Sequence, residues 1–150
     1  MFKINKLTDY AMVVMHKLAS EPNKVLSATY IANAVHLTTP TVSKILKILA
    51  EASLVNSFRG TGGGYQLAKP TTDITIVDIL SAIEGKLAMT ECCSENKICT
   101  LSSLCTIQEN WKTINKVILD ALSQVTLYDM TRSLLAHPLT LNGISVKVEG

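Results

Sequence analysis

Four of the chain's seven glycines fall within five residues, Gly60-Thr61-Gly62-Gly63-Gly64. Glycine takes positive φ without steric cost, so such a cluster suits the tip of a tight reversal. On one side lies Leu54-Val55-Asn56-Ser57-Phe58-Arg59, which reads as a strand, and on the other Gly64-Tyr65-Gln66-Leu67-Ala68, which reads as its return. The segment is therefore expected to be a β-hairpin, closed by Lys69-Pro70. What precedes it decides the kind of domain that carries it.

Residues 7–19 place Leu7, Ala11, Val14, Met15 and Leu18 at helical spacing, and Glu21-Pro22-Asn23 ends that helix. Ser27 is the expected N-cap of a short second helix running through Ile31 and Val35. After the turn His36-Leu37-Thr38, Thr39 reads as an N-cap and Pro40 as the first residue of a third helix reaching about Ala52. Val42, Ile45, Leu46 and Leu49 share one narrow face of it. Thr41, Ser43, Lys44, Lys47 and Glu51 fall on the opposite arc, with Ile48 an apolar exception among them. Two short helices joined by a tight turn, the second with a basic and hydroxyl-rich outer face, outline a helix-turn-helix. A hairpin directly after it is a wing. Bare backbone at Gly62 and Gly63 suits close approach to a phosphate or a minor groove, with Arg59 at the hairpin base as the cation. The expected fold is mainly α with a small β-wing.

Downstream, Thr75 reads as the cap of a helix that turns Ile76, Ile79, Leu80 and Ile83 inward, with Gly85 past its end. The stretch 91–104 is polar, cysteine-bearing and aperiodic, which predicts a loop. A long helix follows from about Thr106 to Val125. Its apolar residues Ile107, Trp111, Ile114, Ile118, Ala121 and Val125 recur at alternating spacings of four and three, widened by Val117 and Leu122. That is the rhythm of a helix seeking a partner helix. The small N-terminal domain has little core left to cover it, so a homodimer is expected. The organisation predicted is a winged helix-turn-helix domain over 1–85, a cysteine-bearing loop over 86–106, a dimerisation helix over 107–130 and a tail over 131–150. The tail has no strong period and is expected to be loosely ordered or weakly paired.

Charge is distributed unevenly. Residues 1–70 hold eight basic against three acidic side chains, while the remainder holds six against nine, within a net charge of +2. A basic first half suits a polyanionic partner. No apolar run approaches the ~20 residues of a membrane helix, and the first residues lack the apolar core and cleavage site of a secretory signal. A cytoplasmic protein is expected. All four cysteines, Cys92, Cys93, Cys99 and Cys105, lie within fourteen residues. Clustered thiols in a reducing compartment read as metal ligands rather than as a disulfide framework. The spacing C-x5-C-x5-C does not favour the C-x2-C pairs of structural zinc, yet thiolates suit zinc and iron–sulfur clusters alike.

Several linked segments resemble the IscR/NsrR group of bacterial regulators, winged-helix homodimers that sense iron–sulfur status, nitric oxide or redox state. They are Leu7-Thr8-Asp9-Tyr10-Ala11, Arg59-Gly60-Thr61-Gly62-Gly63-Gly64-Tyr65, Ile76-Val77-Asp78-Ile79, and the three spaced cysteines followed by Trp111. The resemblance spans residues 1–130. Pro40-Thr41-Val42-Ser43-Lys44 and Thr90-Glu91-Cys92 are similar to the subgroup that regulates the SUF iron–sulfur assembly operon.

The resemblance implies that Cys93, Cys99 and Cys105 hold an iron–sulfur cluster, either 2Fe-2S or 4Fe-4S. Some members take a histidine three residues after the last cysteine as fourth ligand, but Gln108 stands there. Asp9, reaching across from the partner subunit, ranks first as the replacement, Cys92 second, and water or an exogenous thiol third. For double-stranded DNA carrying a pseudo-palindromic operator, the implied contacts are Thr38, Thr41, Ser43, Lys44 and Lys47 on the third helix and Arg59, Gly62 and Gly63 in the wing. Some relatives that discriminate two promoter classes carry a glutamate where Ser43 stands, so dual recognition is not expected. The function implied is repression of the SUF operon by the cluster-loaded dimer. The alternatives are a nitric-oxide or redox-responsive repressor of stress genes, a thiol oxidoreductase and a winged helix that binds only protein. The oxidoreductase is disfavoured, because no C-x-x-C pair is present and only Lys97 is near to lower a thiol pKa.

Overall fold

In the computed structural model, α1 (Lys6–Ser20) is the post around which the other helices assemble. The structure describes residues 4–90, 93 and 105–132, and the backbone of two short strands at 139–141 and 144–146. Asn5 starts α1, its side chain accepting the Leu7 N–H at 3.1 Å. The buried stripe Ala11, Val14, Met15 and Leu18 then meets α2 (Ala28–Val35), α3 (Thr39–Glu51) and α4 (Ile76–Glu84). Ile31, Val42, Ile45, Leu46, Leu49, Ile74 and Ile79 complete the same core. The narrow apolar face read on the third helix is the face that is buried.

Local chemistry sets the boundaries. Ser27 caps α2 by accepting the Tyr30 N–H at 3.1 Å. His36 ends it in the left-handed conformation at φ 56°, and Leu37 N–H closes back on the Ala32 carbonyl at 3.0 Å. The third helix departs by one residue from expectation: its N-cap is Thr38, and Pro40 stands second rather than first. Thr38 does not cap with its side chain; its Oγ1 instead lies 2.8 Å from Thr41 Oγ1.

The hairpin is present as β1 (Val55–Phe58) and β2 (Gly64–Leu67), paired antiparallel with Val55 opposite Leu67 and Phe58 opposite Gly64. Leu26 adds an isolated bridge to Tyr65, with hydrogen bonds of 2.9 and 2.8 Å, and so fastens the wing to the segment before α2. The capped helix at Thr75 is α4, and a reciprocal box with Asp78 reinforces its start.

The long helix, α5, runs Gln108–Ser123, shorter at both ends than the sequence pattern suggests. Its end is followed by an unanticipated element, the one-turn helix α6 (Leu127–Met130), capped by a Thr126–Asp129 box. Leu127 is fully buried in the α1–α4 core. Ile76 N–H donates to the Val125 carbonyl at 2.9 Å, and Leu127 N–H donates to the Ile74 carbonyl at 2.8 Å. The tail contains a short antiparallel hairpin, β3 (Leu139–Leu141) with β4 (Ile144–Val146). No helix among the described residues is long and apolar enough to cross a membrane.

Candidate nucleic-acid interface and cysteine segment

On α3 the buried arc leaves the opposite arc facing solvent. Lys44 and Lys47 are exposed, and Thr41 and Ser43 are half-buried beside them. Thr38 is exposed at the helix start. Ile48, the apolar exception, is half-buried rather than presented outward. Arg59, Gly60, Thr61 and Gly62 are exposed at the wing tip, with Gly63 turned partly inward.

The glycines are not equivalent. A Cβ on Gly63 would stand 2.5 Å from the Phe58 carbonyl oxygen and 2.8 Å from that of Gly60. One on Gly64 would collide with the Leu26 carbonyl, while Gly62 has open space. Gly60, at φ 102°, supplies the backbone reversal. The tip is therefore tight by construction and bare on its outer side.

The lysines also divide into two kinds. Lys17 and Lys24 are committed to Glu21, at 2.7 and 3.0 Å, and Tyr30 Oη donates to the same carboxylate at 2.9 Å. Those hydrogen bonds, from Lys17 first and then Lys24 and Tyr30, pull Glu21 down to about 2 from the usual 4.5. Lys44, Lys47 and Arg59 have no acidic partner at salt-bridge distance among the described residues. A cation without an internal partner can neutralise an external phosphate without first breaking a bond.

Of the cysteines, Cys93 and Cys105 are described; both are half-buried and free. Cys92 and Cys99 lie outside the described residues. Thr90 Oγ1 donates to Cys93 Sγ at 3.2 Å, and Met89 N–H ties the preceding turn to Asn115 on α5 at 2.9 Å. Cys105 stands just ahead of the N-terminus of α5. Soft donors with these surroundings fit an iron–sulfur group. Asp9 is exposed on α1, and no group of three or more His, Cys, Asp or Glu side chains comes together among the described residues.

Along α5 no residue is buried. Ile107, Ile114 and Val117 are exposed, Val117 by 62%, whereas Ile118, Leu119 and Leu122 turn toward a cleft against α4. Part of the apolar stripe thus faces its own chain and part is open to solvent.

A helix-turn-helix with an uncommitted basic face, flanked by a glycine-tipped hairpin, defines a winged-helix DNA-binding transcriptional regulator. The chain belongs to the Rrf2 family of iron-dependent transcriptional regulators, which matches residues 4–133. NsrR of Bacillus subtilis, an HTH-type transcriptional regulator, is 27% identical over 133 residues, covering 87% of this chain and 91% of its own. CymR, the global cysteine regulator of B. subtilis, superposes with a TM-score of 0.68 at 28% identity, covering 87% of this chain and 97% of that one. T. potens IscR superposes at 0.65 with 28% identity, covering 86% and 85%. The family and these relatives are regulators, not enzymes, which sets the oxidoreductase aside.

Proposed function

We propose that this protein is a cytoplasmic, homodimeric repressor of the SUF iron–sulfur assembly operon whose grip on DNA depends on an iron–sulfur cluster held by Cys93, Cys99 and Cys105. The observation that carries the reading is the position of the thiols. Cys93 and Cys105 lie in the connection between α4, which packs on the DNA-domain core, and α5, which presents the exposed apolar residues Ile107, Ile114 and Val117. When bound, the cluster supplies an iron–thiolate crosslink that is lost when iron is scarce. Cys93 and Cys105 anchor that crosslink beside Thr90 and the start of α5, and Asp9 is the first choice for a fourth ligand from the partner subunit. Thr38, Thr41, Ser43, Lys44 and Lys47 face the operator's major groove, and Arg59, Gly62 and Gly63 face its minor groove. Coupling runs through the relative tilt of two reading heads, a difference in dimer geometry between loaded and unloaded states.

The deciding experiment is anaerobic purification with a visible spectrum, iron and sulfide analysis, and titration of a SUF-promoter duplex before and after chelation. Matched iron and sulfide with weaker binding after chelation is the expected result. A colourless protein with stoichiometric zinc overturns it. A second reading, a nitric-oxide or redox-responsive repressor of stress genes, draws support from Asp9 and Gln108, since an oxygen ligand makes a labile cluster. Tight SUF-duplex binding that is indifferent to added nitric oxide excludes it.

A further inference from the structure

Phe58 is 44% exposed in the wing, directly beside Arg59. Its cross-strand partner is Gly64, which has no side chain to cover the ring. The backbone beneath it is fixed: its carbonyl closes the space above Gly63, and Gly63 N–H donates to the Gly60 carbonyl at 3.0 Å. A large apolar side chain is thus held at a rigid tip, next to a cation with no acidic partner among the described residues. That pairing matches one surface chemistry closely. A DNA minor groove has apolar deoxyribose walls, a negative floor at A·T steps, and base steps that accept an apolar wedge.

We propose that Phe58 is a specificity-determining residue of the wing, packing its ring against the sugar wall of the minor groove while Arg59 enters the groove beside it. The proposal rests on the DNA-contact reading given above and extends it to a residue outside that set. A ring in the groove reads width and step flexibility rather than a hydrogen-bonding pattern, so Phe58 favours deformable A·T-rich steps under the wing.

The probe is the duplex that wild-type protein enriches from a random-sequence library. Its affinity is measured across a salt series for wild type, Phe58→Ala, Phe58→Leu and Arg59→Ala, with thermal unfolding of each. Phe58→Ala is expected to bind about tenfold more weakly at every salt concentration, with the salt slope unchanged, because no phosphate charge is lost. Arg59→Ala is expected to lower the slope by about one. Phe58→Leu keeps the strand and an apolar side chain, and is expected to fall between wild type and alanine. Repeating the enrichment with Phe58→Leu should relax preference at the base steps beneath the wing only, which a merely structural role does not produce. Wild-type affinity in both Phe58 variants, or uniform weakening with unaltered preference, overturns the proposal while an Arg59→Ala loss leaves the DNA-contact reading standing. If wild type enriches no duplex, both fall together.

Discussion

The Leu26 carbonyl leaves no room for a Cβ at Gly64, and at Gly62 nothing approaches at all. The two glycines, two residues apart, therefore carry different obligations. Gly64→Ala must push β2 away from the Leu26 bridge and is expected to cost about 2 kcal/mol, whereas Gly62→Ala folds like wild type; denaturant unfolding of the pair reads the contrast directly. Glu21 is held at about 2 by Lys17, Lys24 and Tyr30, below the usual 4.5. A depressed carboxylate contributes stability that is complete above its unfolded value and is lost as pH falls through its folded one. The wild type should thus lose stability between pH 4.5 and about 2 through this group, and Glu21→Gln should flatten that part of the profile in urea midpoints taken from pH 6 to 2. An unchanged acid limb in the variant counts against the cluster as an anchor between α1 and α2. The lysine partners act at the other end of the scale. Their values are raised by Glu21, so their share persists until pH rises past the ordinary lysine range.

At the scale of elements, periodicity was a sound guide wherever one face of a helix meets its own chain. The stripes of α1 and α3 are buried as their spacing implies, because in-chain packing and the 3.6-residue repeat select the same residues. The wing was legible because glycine clustering has few other uses. Two things were not. The α3 cap shifted by one residue because Thr38 and Thr39 are chemically equivalent candidates, and α6 was absorbed into the long helix because Val125 continued its rhythm. The signal that separates them is the Thr126-x-x-Asp129 box, a local stop and restart that periodicity does not register. In that box burial opposes ionisation of Asp129, but hydrogen bonds from Thr126 and the charge of Arg132 outweigh it and hold the carboxyl below its usual value. Helix α5 is the opposite case: its rhythm is clear, yet Ile107, Ile114 and Val117 stay exposed. If a second copy covers them, Val117→Glu places a charge in that seam and should convert dimer to monomer in sedimentation at micromolar concentration, with helical circular dichroism retained. A variant that sediments as wild type removes this face from the dimer.

For the whole molecule, the decisive feature is where the chain returns. Past Ile74–Thr75 it runs through α4, which packs on the core, then through the cysteine segment and α5, and comes back to the same place, where Thr75 bridges Thr126 and Leu127 enters the core. The excursion is therefore a closed loop with both ends on one clasp. Near its far end Glu84 of α4 accepts the Thr8 hydroxyl and, at 3.2 Å, the Asn5 N–H, so the start of α1 is bound to it as well. Among the described residues, α4 and the segment that follows α5 are thus both fastened to the DNA-binding core. Leu127→Ala tests this construction. Removing a fully buried leucine costs about 2–5 kcal/mol, and if the clasp belongs to the core, the loss falls on one cooperative transition. Calorimetry should show a single peak moved to lower temperature, and hydrogen exchange should quicken in α1 and α4 as well as α6. Two separate peaks, with α1 and α4 protected as before, would mean that the long helix hangs on the domain as an independent unit, and that tension at the thiols has no rigid route to the residues of α3.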